Sequence, residues 1–195
     1  MDRAPDASAP LDAFAVTPGR GDRDEILAAI PTLAARGARR LLLREKSLAP
    51  AARRALAEAI APACRAAAVE LWIAEDVELA KAIGAAGVQL SERSPSPLVV
   101  QEALPPALAL GVSLHAPITR SARELAACRH AFLGPLFATP GKPDATPLGL
   151  ARFRELAATL PLPVYAIGGI GADELRKLAA AGIRRVAAIR LFFGG

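Results

Sequence analysis

One unit recurs along this chain: a patterned helix, a glycine, then a short apolar run. It is seen in "AARGARRLLL", "GAAGVQL" and "AAAGIRRVAAI". A glycine that closes a helix and feeds a strand is the αβ half of a β/α unit, and its repetition constrains the fold more than any other feature. Strands are predicted at 12–16, 39–43, 69–73, 87–90, 109–114, 130–136, 163–168 and 184–189. These are near-continuous apolar runs, the pattern of parallel strands buried on both faces. Apolar residues at i, i+3, i+4 spacing predict helices over 23–36, 51–67, 77–85, 119–127, 148–159 and 172–181, with a shorter one near 96–103. Eight strands alternating with seven helices predict a (β/α)8 TIM barrel. Only five residues follow Arg190, so the last helix is expected to be missing or truncated, leaving a flank for a partner or symmetry mate to cover. An open doubly wound sheet would carry a G-x-G-x-x-G fingerprint after its first strand, and "VTPGRGDRDE" has none.

A chain of 195 residues suits a single domain, here 12–195, preceded by a disordered lead-in over 1–11. That lead-in, "MDRAPDASAPLD" at its start, is acidic and Pro-rich and lacks the apolar segment of a secretory signal. Hydrophobic residues make up 53% of the chain and aromatics 4%, which excludes both a disordered chain and an aromatic platform for nucleic acid. No apolar run approaches the roughly 20 residues needed to span a bilayer, so no membrane partner is expected and a cytoplasmic location is. The net charge of +5 is carried mainly by scattered Arg pairs such as Arg39-Arg40 and Arg184-Arg185. Scattered pairs read as a solvated surface rather than a nucleic-acid stripe, and they suit anionic small substrates. Cys64 and Cys128 lie in Ala-rich helical stretches with no metal-ligand spacing, which points to reduced, buried thiols.

In a barrel of this type the site is built from loops at the C-terminal strand ends. That rule directs attention to Thr17, residues 44–46, 74–76, 89–94, 113–115 and 137–147, Gly168, Gly169 and Arg190. It also turns "FLGPLFATPGKPDATPLGL" (132–150) from a linker into the loop after the sixth strand. Period-two alternation puts Arg44 and Lys46 on one side, with Glu45 turned away, and two converging cations suit a phosphate or diphosphate. Gly168 and Gly169 allow close backbone approach, and the helix start near residues 171–173 offers N–H groups to a phosphate, with Arg190 facing the same pocket. Ser113 and His115 share a side at the end of the fifth strand. His115 is a candidate general acid or base, whereas His130 lies at a strand start, away from the site. Glu75, Asp76, Glu92 and Asp144 are the carboxylates near the mouth, without a strong metal-ligand motif.

Several segments, in order, resemble the thiamine phosphate synthase/TenI family over nearly all of 12–193: "LLLREK", "AKAIGAAGVQLSERSPSP", "LGVSLHAP", "FLGPLFATPGKPDATPLGL" and "PVYAIGGIGADELRKLAAAGIRRVAAI". The fourth follows that family's "GPVFPTPTKPDAPPLGL" pattern. The resemblance implies thiamine biosynthesis on a thiazole phosphate, often by a homodimer. For the synthase branch it implies that Arg44, Lys46 and Lys142 handle a pyrimidine-methyl diphosphate, that Thr139 binds phosphate and that Gly169 offers its backbone to the thiazole phosphate. Mg2+ would then be expected, on Glu75. This chain departs from that branch, with Leu42 for Gln, Ala74-Glu75 for Asn-Asp, Gln89 for His and Ser94 for a magnesium-binding Asp. Gln89 and "VQLSERSPSP" resemble the TenI branch of thiazole tautomerases. Those need no metal, only a phosphate anchor and one acid/base group, which the resemblance places on His115. The tautomerase is the leading expectation here and the synthase the alternative. A degenerate, non-enzymatic binder of a phosphorylated metabolite comes third, in keeping with the ending "AIRLFF", which resembles degenerate synthase-like domains fused to Nudix hydrolases.

Overall fold

Strands buried on both faces need helices outside and side chains inside, and the strand sequences supply both by alternation. In "DAFAV", Ala13 and Ala15 join the outer core while Phe14 and Val16 fill the lumen; in "LLL", Leu41 and Leu43 go out and Leu42 goes in. The structure, a computed structural model, describes residues 11–139 and 144–193. The expected lead-in, Leu11 apart, and Lys142 lie outside the described residues.

The strands are β1 (Asp12–Val16), β2 (Ala38–Leu43), β3 (Glu70–Ala74), β4 (Gly87–Leu90), β5 (Ala109–Leu114), β6 (His130–Leu133), β7 (Val164–Ile167) and β8 (Arg185–Ala188). All pair in parallel and in sequence order, and β8 returns to β1 to close the barrel. The helices are α1 (Arg23–Leu33), α2 (Pro50–Ala66), α3 (Val77–Ile83), α4 (Pro97–Glu102), α5 (Ala122–Ala126), α6 (Gly149–Ala158), α7 (Leu175–Ala180) and α8 (Arg190–Phe193).

Differences from the sequence expectation have local causes. The sixth strand stops at Leu133 rather than 136, because Pro135 has no N–H to give to a ladder. The fifth helix starts at Ala122 rather than 119, where Ser121 and Glu124 form a reciprocal capping box. The helix expected over 172–181 opens as a 3-10 turn, Ala172–Glu174. Of the two glycines in "GAAGVQL", Gly84 makes the left-handed cap at φ +63°. Gly87 is inside β4, where a Cβ would lie 2.5 Å from the Trp72 ring. The final helix is the short α8, not an open flank: Phe192 and Phe193 are buried. Arg36 donates to the carbonyls of Leu191 and Phe192 and stacks 5.3 Å over the Phe192 ring.

Four of the eight aromatics, Phe14, Trp72, Phe132 and Tyr165, meet in the lumen. Phe14 meets Trp72, Phe132 and Tyr165 edge-on, at centroid distances of 5.7, 5.0 and 5.3 Å. Below them, at the N-terminal end, Arg40 bonds Asp12 (2.7 Å) and Tyr165 (2.8 Å) and pairs with Glu70 (3.3 Å), plugging the floor. The mouth lies at the other end.

Candidate functional site

The loops after β2 to β5 are tied into one arc across the mouth. Lys46 Nζ pairs with Glu75 at 2.7 Å, and the Ser94 hydroxyl donates to the same carboxylate at 3.4 Å. Ser94 is in turn 3.1 Å from the Ser91 hydroxyl. Arg120 donates to the carbonyls of Glu92 and Ser94, so it carries the loop after β4, and Glu92 reaches His115 Nδ1 at 2.9 Å. Partial burial favours the neutral form of Glu75, but hydrogen bonds from Lys46, Ser91 and Ser94 and the Lys46 charge outweigh it and hold the carboxyl below its usual range. Glu75 also sits at φ +63°, in the left-handed region that a branched or bulky side chain rarely adopts.

Each expected site residue among the described ones has a definite place. Arg44 is half-buried at the end of β2, and its backbone N–H donates to Thr17 Oγ1 at 2.8 Å. Among the described residues its guanidinium forms no ion pair, which leaves it available for an anion. Lys46 is exposed and partnered with Glu75. Between them, beyond the end of β2, Glu45 is buried but not idle. Its carboxylate, 1% exposed, accepts from the backbone N–H groups of Gly19 (3.0 Å) and Gly21 (2.7 Å) and pins the loop after β1. A cavity of about 440 Å³ opens beside these residues, lined by Glu45, Lys46, Arg53, Ala74, Glu75 and Asp76. A larger concavity, about 960 Å³, lies near Asp12 and Arg185 at the opposite strand ends, away from the mouth. Gln89 is buried inside the barrel and donates to the half-buried Ser113 hydroxyl at 3.2 Å. His115 is one-third exposed, and its Nδ1 lies 2.9 Å from the Glu92 carboxylate, which accepts from it.

The other half of the mouth is closely packed. Gly168 (φ +99°) and Gly169 (φ +69°) do permit close approach, but to the loop after β6. A Cβ on Gly168 would lie 2.8 Å from Pro135, and one on Gly169 would lie 2.6 Å from the Ala138 carbonyl. The Gly171 N–H, expected to be open to phosphate, donates to Glu174 at 2.9 Å. Arg190 does not end a strand: β8 stops at Ala188, and Arg190 is exposed at the start of α8. Thr139 is half-buried at the edge of the described residues.

Among the described residues no three His, Cys, Asp or Glu side chains converge as metal ligands. Each carboxylate of the arc already has a partner: Glu75 has Lys46, Glu92 has His115, and Asp76 caps α3 while pairing with Arg53 at 3.0 Å. Sequence reasoning did not find Glu45 as a clamp, Arg120 as the brace or His130 in the lumen. The position of His130 at a strand start does not reveal the inward direction of its side chain, which appears only once the barrel closes.

The chain matches the thiamine monophosphate synthase family over residues 13–192. It is 36% identical over 191 residues to the thiamine-phosphate synthase of Bordetella pertussis, covering 94% of this chain and 88% of that one. It is 38% identical over 192 residues to the Bordetella avium enzyme of the same name, with the same coverage. In structure it resembles thiamine phosphate pyrophosphorylase from Pyrococcus furiosus, with a TM-score of 0.76 at 24% identity over 95% of this chain and 88% of that one. With the closed barrel and the matched span taken together, this chain belongs to the thiamine monophosphate synthase family.

Proposed function

We propose that the chain is a transferase of the thiamine-phosphate synthase type, joining a thiazole phosphate to a pyrimidine-methyl diphosphate. The reading reverses the order reached from sequence alone: its relatives carry the synthase name, which supports the transferase over the isomerase. The observation that carries it is the cationic end of β2, where Arg44 has no carboxylate partner among the described residues and Lys46 stands two residues on. In the reaction the methylene C–O bond breaks, its electron pair leaves with pyrophosphate, and the thiazole nitrogen forms the new C–N bond to the methylene carbon. Negative charge grows on the departing diphosphate, and fixed cations aimed at it stabilise the transition state more than the ground state. Arg44 offers a planar fork for two oxygens and Lys46 a point charge. Lys46 already neutralises Glu75, so it is held at the mouth before the substrate arrives.

Incubating the chain with both substrates should yield thiamine phosphate and pyrophosphate in equal amounts. Arg44→Ala should lower kcat/KM by about a hundred-fold, the loss of about one to two charge-assisted hydrogen bonds in the transition state. Absence of product with and without added Mg2+ overturns the transferase reading.

A second reading, the thiazole tautomerase, rests on a different observation, the 2.9 Å His115–Glu92 pair. A carboxylate on Nδ1 orients the imidazole and raises its basicity, which suits a general acid or base with no metal required. In that case His115→Ala abolishes interconversion of the carboxylated thiazole phosphate tautomers, and synthase product is not formed.

A further inference from the structure

His130 is buried, 3% exposed, and plays no part in the reactions above. Its ring is boxed by aromatics, with centroids 4.7 Å from Phe14, 4.7 Å from Trp72, 5.2 Å from Phe132 and 5.6 Å from Tyr165. From this apolar box Nε2 reaches Gln89 Oε1 at 2.8 Å, and Gln89 Nε2 reaches Ser113 Oγ at 3.2 Å. The chain of three polar groups thus runs up the lumen from the base of β6 to the mouth at the end of β5. It has room only because Gly111 has no side chain: a Cβ there would lie 2.2 Å from Gln89 Oε1 and 2.5 Å from His130 Nε2.

The direction of the chain follows from hydrogen-bonding capacity. An amide oxygen only accepts, so His130 must carry its proton on Nε2. The imidazole is neutral, since burial first, and then the charges of Arg40 and Arg129, push its pKa down to about 3, against a smaller opposing effect of Asp12. With its oxygen committed to His130, Gln89 can present only its N–H to Ser113. The serine oxygen therefore accepts from below, and its own O–H is left to donate at the mouth.

We propose that His130 is a positioning residue which, through Gln89, makes the Ser113 hydroxyl a hydrogen-bond donor to the substrate, selecting an acceptor atom such as an anionic oxygen or an unprotonated ring nitrogen. The part concerning substrate rests on the transferase reading above. A flipped Gln89 would offer its oxygen to Ser113, draw the hydroxyl proton downward and present a lone pair instead. The site would then favour a donor on the ligand. The polarity of one hydroxyl at the mouth is thus set by a ring deep in the lumen.

Two measurements test this separately. Long-range proton–nitrogen correlation on the 15N-labelled full chain at neutral pH reads the tautomer directly. With only two histidines in the chain, a His130→Gln sample assigns the signals. A neutral ring protonated on Nε2 is expected. A ring protonated on Nδ1, or a charged one, overturns the relay. Kinetics with the thiazole phosphate and the pyrimidine diphosphate form the second arm. His130→Gln keeps an N–H near the Nε2 position and should hold the wild-type KM. His130→Phe removes it and should raise KM about ten-fold with a smaller change in kcat, as should Ser113→Ala, because a misdirected buried amide costs one hydrogen bond to the ligand. A merely structural histidine would lower the active fraction in both His130 variants without this split. Wild-type KM in His130→Phe alongside a raised KM in Ser113→Ala overturns the relay and leaves the transferase reading standing. If the native chain turns over neither substrate, that reading fails, and the tautomer measurement still decides the relay.

Discussion

At the scale of single residues, the lumen shows how a polar group is accommodated inside an apolar barrel. His130 is kept neutral by burial and by two nearby arginines, and its one N–H is matched to the one oxygen of Gln89. The cost of that arrangement depends on pH. An unfolded histidine titrates near about 6.5, whereas the folded ring stays neutral down to about 3. Between those values the unfolded chain binds a proton that the folded chain refuses. The stability linked to this group is therefore complete above about pH 6.5 and is lost as pH falls toward 3, at up to about 1.4 kcal/mol per pH unit. Urea melts at pH 7 and pH 5 should show a larger loss for the native chain than for His130→Gln, which has no group to titrate. Equal losses would mean that the ring is solvated or protonated in the fold. Gly111 belongs to the same arrangement, and its role can be read only with the partner strands in place. In sequence it is one glycine within the apolar run "ALGVSL".

Among the elements, the strand-end loops divide into a polar half and a packed half. The loops after β2 to β5 are joined through Lys46, Glu75, Ser94, Arg120, Glu92 and His115, and those after β6 and β7 by backbone bonds from Leu136 to Ile167 (2.8 Å) and Phe137 to Gly168 (3.1 Å). The first half is joined by side chains and the second by backbone. Glu45 ties the loop after β1 to the polar half. Substituting Glu45→Ala removes the acceptor of two backbone N–H groups in a part-buried turn and should cost about 1–3 kcal/mol of stability. It should also loosen residues 17–21 ahead of the rest. Amide hydrogen exchange reads this directly: Gly19 and Gly21 should lose protection in the variant while β5 and β6 keep theirs. Unchanged protection at both glycines would show that the clamp is redundant. The element boundaries were largely legible in the sequence, since Asp22, Asp76 and Ser121 cap α1, α3 and α5 and Gly37 and Gly84 end helical segments in the left-handed conformation. The loops were legible in residue type but not in partner, because a hydrogen bond between residues tens of positions apart leaves no local trace.

Taken whole, the molecule keeps two separate apolar volumes, one between strands and helices and one inside the barrel. Cys64 and Cys128 both lie in the outer one. Burial pushes their thiols up, to about 12 for Cys64 and about 11 for Cys128, with neighbouring arginines opposing the effect only in part. Neither forms the nucleophilic thiolate near neutral pH. Both should therefore resist alkylation in the native state and react only as the whole barrel opens, so that the labelling rate tracks global unfolding across a denaturant series. Fast labelling of either one in native buffer would reveal a local opening of that flank. The short α8 completes the outer volume by setting Phe192 and Phe193 against the rest of the shell, the flank that sequence reasoning left exposed.

Periodicity and turn chemistry were enough to specify a closed (β/α)8 barrel, the order of its strands and the end at which a site can form. The physical reason is that these depend on contacts near in sequence: alternation along a strand, a cap at each helix end, a glycine at each helix-to-strand turn. The cationic pair Arg44 and Lys46 was visible for the same reason, being two residues apart on one strand end. Which carboxylate each cation or histidine meets, why Gly168 and Gly169 are glycines, and that His130 and Gln89 share the lumen depend on barrel closure. Closure brings together residues such as Gln89 and His130, 41 positions apart, and only there do hydrogen-bond capacity and burial decide which groups act together.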